Sequence, residues 1–212
     1  MLAKFYYYLV TAVEALFSVF GIRSFYEQPR YMVVDRLSGE LEIRSYDPRL
    51  AVENIVESAD IHAGESEAFR LLLAYIAGAN RGRARFPMTV PVEQSSQPSL
   101  IAMTAPVEIT RNRSSQVRMR FFLPTALAAK GAPEPIDDRV KIVKLAPVTV
   151  AVLRFAGGLS QNVEVKRTEE LINRVALSGW RVAGAPFLQA YDPPFTIPFL
   201  RHNEIAVSVT RD

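Results

Sequence analysis

The chain has 212 residues, 49% of them hydrophobic and 22% charged, and 25 basic against 22 acidic side chains leave a net charge of +3. This composition excludes disordered, collagen-like and low-complexity chains and suits one domain, or two small ones, with a real core. No cysteine is present, which excludes disulfide scaffolds, thiolate metal sites and cysteine nucleophiles, and so mild a charge argues for no nucleic-acid partner.

The first element is an apolar stretch of 18 residues, Phe5 to Ile22. A spanning helix needs about 20 such residues, and Glu14 at the centre opposes insertion by roughly 2.5–3.5 kcal/mol. Lys4, Tyr7, Thr11, Glu14 and Ser18 fall at helical intervals and form one narrow polar stripe. That pattern suits a helix lying in a membrane interface. A secretory signal and a terminal helix docked on its own domain are the other readings. Residues 1–30 are therefore taken as an N-terminal helix and linker, with membrane association through residues 1–22, and 31–212 as the domain proper.

From Tyr31 the pattern is rich in strands. Alternation runs through Leu41-Glu42-Ile43-Arg44 and again from Leu50 to Val56. Phe69, Leu72, Leu73 and Ile76 then set a helical stripe over 65–78, stopped by Gly78 and Asn80. Strands are expected at Met88–Glu93, Ile101–Thr110 and Val117–Leu123. Pro124–Asp138 reads as a long surface connection. Further strands follow at Val140–Lys144 and Val148–Phe155. A second helix over 161–178 opens at Ser160, places Leu171, Ile172 and Val175 inward and stops at Gly179. Strands near Phe187–Tyr191 and Glu204–Thr210 close the chain.

Two repeats run through this order. A shift of 99 residues lays Leu41-Glu42-Ile43 on Val140-Lys141-Ile142, Pro48 on Pro147, and Leu72, Leu73 and Ile76 on Leu171, Ile172 and Val175. The expected architecture is α+β: a distorted antiparallel β-barrel of two pseudo-twofold β-β-α-β-β repeats, about eight strands, with two main helices. The shorter repeat matches Met88-Thr89-Val90-Pro91-Val92-Glu93 to Met103-Thr104-Ala105-Pro106-Val107-Glu108. Proline lacks an N–H, so Pro91 and Pro106 belong at edges or bulges. Met88 and Met103 fit either a hydrophobic core or a wall against a flat aromatic ligand.

Ile101-Ala102-Met103-Thr104-Ala105-Pro106-Val107, Tyr191-Asp192-Pro193-Pro194 and Leu200-Arg201-His202-Asn203-Glu204 together resemble the SOUL haem-binding protein family. The resemblance extends through Leu41 to Tyr46, Ala68-Phe69-Arg70, Tyr75-Ile76 and Phe121 to Pro124, and covers about Tyr31 to Thr210. It implies a distorted antiparallel barrel flanked by two long helices, and binding of haem or other tetrapyrroles. It also implies kinship with small-molecule effector-binding domains of bacterial regulators.

Haem needs an apolar slot, cations for two propionates and, optionally, an axial ligand. Leu72, Tyr75, Ile76, Met88, Met103, Phe195 and Phe199 are the candidates for the slot. Arg85, in the alternating set Arg81, Arg83 and Arg85, and Arg201 are candidates for the propionates; a solvated strand face is the other reading of that set. Some family members carry a histidine after Glu-Ile-Arg of the first strand, where this chain has Ser45. His202 is the substitute metal ligand or else a surface side chain, and His62 is a loop or near-cap residue. The chain holds no P-loop, dinucleotide fingerprint or G-x-S-x-G elbow. The expectation is a non-enzymatic haem carrier or buffer. A sensor module for amphipathic molecules and an enzyme using cleft carboxylates such as Glu93 and Glu108 are the alternatives.

Overall fold

The computed structural model describes residues 27–81, 107–111, 116–192 and 196–211. The apolar N-terminal segment, the Met88–Glu93 strand, and Arg83, Arg85, Met88, Met103 and Phe195 lie outside the described residues.

The first strands are β1 (Tyr31–Ser38), β2 (Leu41–Tyr46) and β3 (Arg49–Glu57), followed by helix α1 (Ile61–Ile76). Next come β4 (Val107–Arg111), β5 (Gln116–Phe122), the short helix α2 (Thr125–Lys130), β6 (Val140–Leu145) and β7 (Val148–Phe155). Helix α3 (Gln161–Ala176), β8 (Trp180–Val182), β9 (Phe187–Ala190), a 3-10 turn at Pro198–Leu200 and β10 (Asn203–Arg211) complete the described chain. All strand pairs are antiparallel, in the order β1-β2-β7-β10-β9-β4-β5-β3-β6, with β8 beside β10. The sheet curls into a half-barrel, and the class is α+β as expected.

Among the described residues there are ten strands where about eight were expected. β1 escaped the reading because it is an edge strand with two register irregularities and no buried face to impose alternation. β8 is only three residues long. The supposed surface connection after Pro124 is a second correction: it contains α2, whose Leu127 is buried in the core.

Helix α1 begins four residues before the expected start. Asp60 caps it, its carboxylate accepting from the His62 N–H at 2.9 Å, so the helix starts at the cap rather than at the first large apolar residue. Its buried stripe is Gly64, Ala68, Leu72, Tyr75 and Ile76. The expected inward residues Phe69 and Leu73 instead stand more than a third exposed. Small side chains decide this rotation. A Cβ at Gly64 would lie 3.0 Å from Ser58 Cβ and 3.3 Å from Val117 Cγ2, so glycine lets the helix settle against β5. Phe69 still meets the ring of Phe121 edge-on at 5.4 Å.

Two apolar cores sit on the helical face of the sheet. α1 packs Ala68, Leu72 and Ile76 on Val52, Val117, Met119 and Phe121. α3, capped by Ser160, packs Leu171 and Val175 on Ala151, Leu153, Ile205 and Val207. Burial of each Leu, Ile, Val, Met or Phe side chain among these contributes about 1.5–3 kcal/mol. β2 pairs with β7 and β3 with β6, so each half of the chain lends a strand to the other.

Candidate functional site

Directly opposed residues of antiparallel strands share one face of the sheet. On the face away from the helices, one rung crosses seven strands: Arg154, Glu204, Gln189, Glu108, Arg120, Glu53 and Lys141. Its middle is buried, with Glu204 at 0%, Gln189 at 1% and Glu108 at 4% exposure. Charges removed from water survive only when paired, and here they are. Arg120 donates from Nη1 to Glu108 and from Nε to Glu53, both at 2.6 Å.

Glu204 is the most heavily engaged of these groups. Arg44 Nη1 lies 3.0 Å from both of its carboxylate oxygens, and the Tyr191 hydroxyl donates to Oε2 at 2.7 Å. His202 donates from Nε2 to Oε1 at 2.7 Å, and its ring stacks on Tyr191 with centroids 4.2 Å apart. Burial alone would push the Glu204 carboxyl up. The hydrogen bond from His202 and the charge of Arg44 outweigh it and hold the group below its ordinary 4.5. Burial and the Glu204 charge push the Tyr191 phenol well above its usual range. The result is a locked carboxylate with its donors already in place.

A separate hollow of about 250 Å³ lies against α1, between Leu71, Ala74, Tyr75 and Ala79 on the helix side and Pro135, Ile136, Asp137 and Val140 opposite. The Tyr75 hydroxyl donates to the Pro133 carbonyl at 2.8 Å, and burial pushes its pKa up to about 12. Ile136 is 58% exposed at this hollow, an apolar side chain facing water.

The sequence model of the SOUL heme-binding protein family matches residues 26–208. The chain belongs to the SOUL family. Among curated proteins none matches it. Similar solved structures include the C-terminal domain of EcmrR, with a TM-score of 0.52 at 10% identity over 86% of this chain and 99% of that one. EcmrR in a complex with DNA gives 0.56 at 10% identity over 81% of this chain and 57% of that one. A hydrolase from Listeria innocua gives 0.51 at 13% identity, covering 81% and 92%. Likeness at such low identity shows the shared fold alone.

Within this SOUL domain the expected haem residues separate. Leu72, Tyr75 and Ile76 share the core under α1, and of the three only Tyr75 lines the hollow. Arg201 and His202 precede β10, which pairs with β7, β8 and β9, whereas α1 packs on β3, β5 and β6. Among the described residues, then, no single slot unites the two groups. Phe199 is 74% exposed and lines neither, because the 3-10 turn presents it to solvent. The Arg201 Nε donates to the Thr196 carbonyl at 2.8 Å. His202 is half-buried rather than a plain surface residue, and its Nε2 is engaged with Glu204. His62 sits exposed in the first turn of α1 beside Glu65, a near-cap residue as expected.

The Arg44–Glu204–Tyr191 cluster was missed, although each member lies inside a motif that carried the resemblance. The available signal was Glu204 itself, an acid inside the apolar strand Asn203-Glu204-Ile205-Ala206-Val207. Alternation puts it beside Ala206, on a face that buries its neighbours.

Proposed function

We propose that the protein holds a tetrapyrrole, haem in the first instance, and does not transform it. The observation that carries this reading is the SOUL family match over residues 26–208, and the apolar hollow at α1 supplies a place. At about 250 Å³ the hollow is smaller than the roughly 300–1,000 Å³ of pockets that enclose a ligand. It suits one edge of a macrocycle rather than the whole. Tyr75 is the one lining residue with an axial-type donor, and its high pKa and its bond to Pro133 disfavour a phenolate there. The described residues thus fit a macrocycle held by apolar contact, at about 25 cal/mol per Å² buried, with no iron bond from this lining.

Glu108 and Glu204 are each held by an arginine, and this supports a carrier over an enzyme built on those carboxylates. The 99-residue offset between β2 and β6, and between the starts of β3 and β7, supports two related halves. Membrane association through residues 1–22 belongs to the same proposal. Its support is the apolar stretch Phe5–Ile22 with its narrow polar stripe; among the described residues no helix is long and apolar enough to cross a membrane.

The test is a titration of the full chain with haemin, followed at the Soret band. A saturable shift is expected, weakened at least tenfold by Ile136→Asp and unchanged in shape by His202→Ala. Absence of a saturable shift overturns the reading. Loss of a low-spin spectrum in His202→Ala would make His202 the axial ligand instead. Saturable binding of an amphipathic dye with no response to haemin would favour a sensor module.

A further inference from the structure

Three arginines of the face away from the helices are buried or half-buried, and two of them have carboxylate partners: Arg44 with Glu204 and Arg120 with Glu108. The third, Arg49, opens β3 directly after the Asp47-Pro48 corner. Its guanidinium lies 4.5 Å over the ring of Tyr46 and 5.1 Å from that of Phe122. Among the described residues it makes no hydrogen bond or ion pair, and its Nε is enclosed without a partner. A half-buried cation stacked between rings but lacking a counter-ion is costly unless something supplies one. Burial pushes its pKa down, against the pull of Glu108 and Tyr46.

Arg49 borders a second hollow, of about 150 Å³, which shares no lining residue with the one at α1. Pro48, Leu50, Phe122 and Leu123 stand in its apolar wall, and Glu27, Arg30 and Asp47 add charge. Glu27 is already used, because its Oε1 accepts from the backbone N–H and the hydroxyl of Thr125. Asp47 faces the same space, so a dianion would meet repulsion there. A single negative charge on a compact apolar body fits both the arginine and the wall. A cavity of about 150 Å³ is the size that takes a benzene ring, and guanidinium pairs best with a planar carboxylate.

We propose that this hollow binds a small organic monocarboxylate, up to the size of benzoate, with its carboxylate on Arg49 and its body against Pro48, Leu50, Phe122 and Leu123. The site is independent of the tetrapyrrole reading. The chain strap 27–30 forms one wall, so the ligand ties the start of the domain to the β2–β3 corner.

The probe is sodium benzoate, titrated calorimetrically into the full chain at fixed ionic strength, beside its neutral isostere benzamide. Benzoate should bind saturably and at least tenfold tighter than benzamide. Arg49→Met, which keeps the stacked volume but removes the charge, should weaken benzoate at least tenfold and leave haemin binding unchanged. Equal binding of the two probes, no benzoate binding, or undiminished binding in a folded Arg49→Met chain would overturn the proposal. Should that variant not fold, the comparison of benzoate with benzamide on the unaltered chain decides alone.

Discussion

Arg44 and Glu204 stand 160 positions apart, yet one guanidinium nitrogen lies 3.0 Å from both oxygens of the carboxylate. Their strands are not neighbours: β7 runs between β2 and β10. Arg44 is opposite Val150 of that strand and Glu204 is opposite its Arg154, so the arginine reaches across the intervening strand.

Breaking this pair should therefore be expensive. Glu204→Gln takes away the buried counter-charge and leaves Arg44 only the partly exposed Glu42, 2.9 Å from its Nε, so the expected loss is about 2–4 kcal/mol, short of the full cost of an unpaired buried charge. Urea unfolding monitored by circular dichroism measures it. A loss below about 1 kcal/mol would show that Glu42 alone satisfies Arg44.

The acid limb follows from the same group. Its folded pKa is below 4.5, so its contribution is complete above the unfolded value and is lost as pH falls through the folded one. Stability should drop below about pH 4.5, and the Glu204→Gln variant should show a shallower drop. On the alkaline side the sign reverses. Tyr75, raised to about 12, contributes fully below its unfolded pKa, and that contribution fades as pH rises towards 12. Denaturant midpoints measured across pH check both limbs, and a flat acid limb would contradict the first.

The rotation of α1 makes a sharp contrast between adjacent residues. Leu72 is fully buried and Leu73 is 39% exposed. Leu72→Ala should cost about 2–5 kcal/mol and Leu73→Ala under about 1 kcal/mol. Equal losses would mean that the stripe read from large residues alone was right after all.

How much was legible in the sequence can be judged on this helix. Its existence was written in the spacing of Leu72 and Ile76, but its rotation was set by Gly64 and Ala68, whose value lies in what they do not occupy. The sheet was legible wherever one face is apolar, as at Leu50–Val56. It was not at β1, which lacks a buried face. The haem candidates were chosen by type and by motif, and only Tyr75 borders the α1 hollow. The charged rung escaped because its pairs, such as Glu53 with Arg120, depend on strand order, which local pattern does not encode.

Tyr75→Phe removes the hydroxyl that binds the Pro133 carbonyl. The expected loss is about 0.5–1.5 kcal/mol, with haemin affinity unchanged within twofold. A large fall in haemin affinity, with stability intact, would give the phenol a direct part in binding.

If residues 1–22 associate with membranes, the full chain expressed in bacteria should pellet with them. A chain beginning at Glu27, which keeps the bond to Thr125, should remain in the supernatant. Full-length protein in the supernatant with its N-terminus intact would favour a helix docked on the domain.

The strand order also bears on how the molecule is made. In the described sheet only β10 links β7 to β9; without it, β1-β2-β7 and β9-β4-β5-β3-β6 are two separate ribbons. β10 leaves the ribosome after every other strand of this sheet, so both ribbons wait with open edges until it arrives. Those edges are the places where a stalled chain would recruit a chaperone or join another copy of itself.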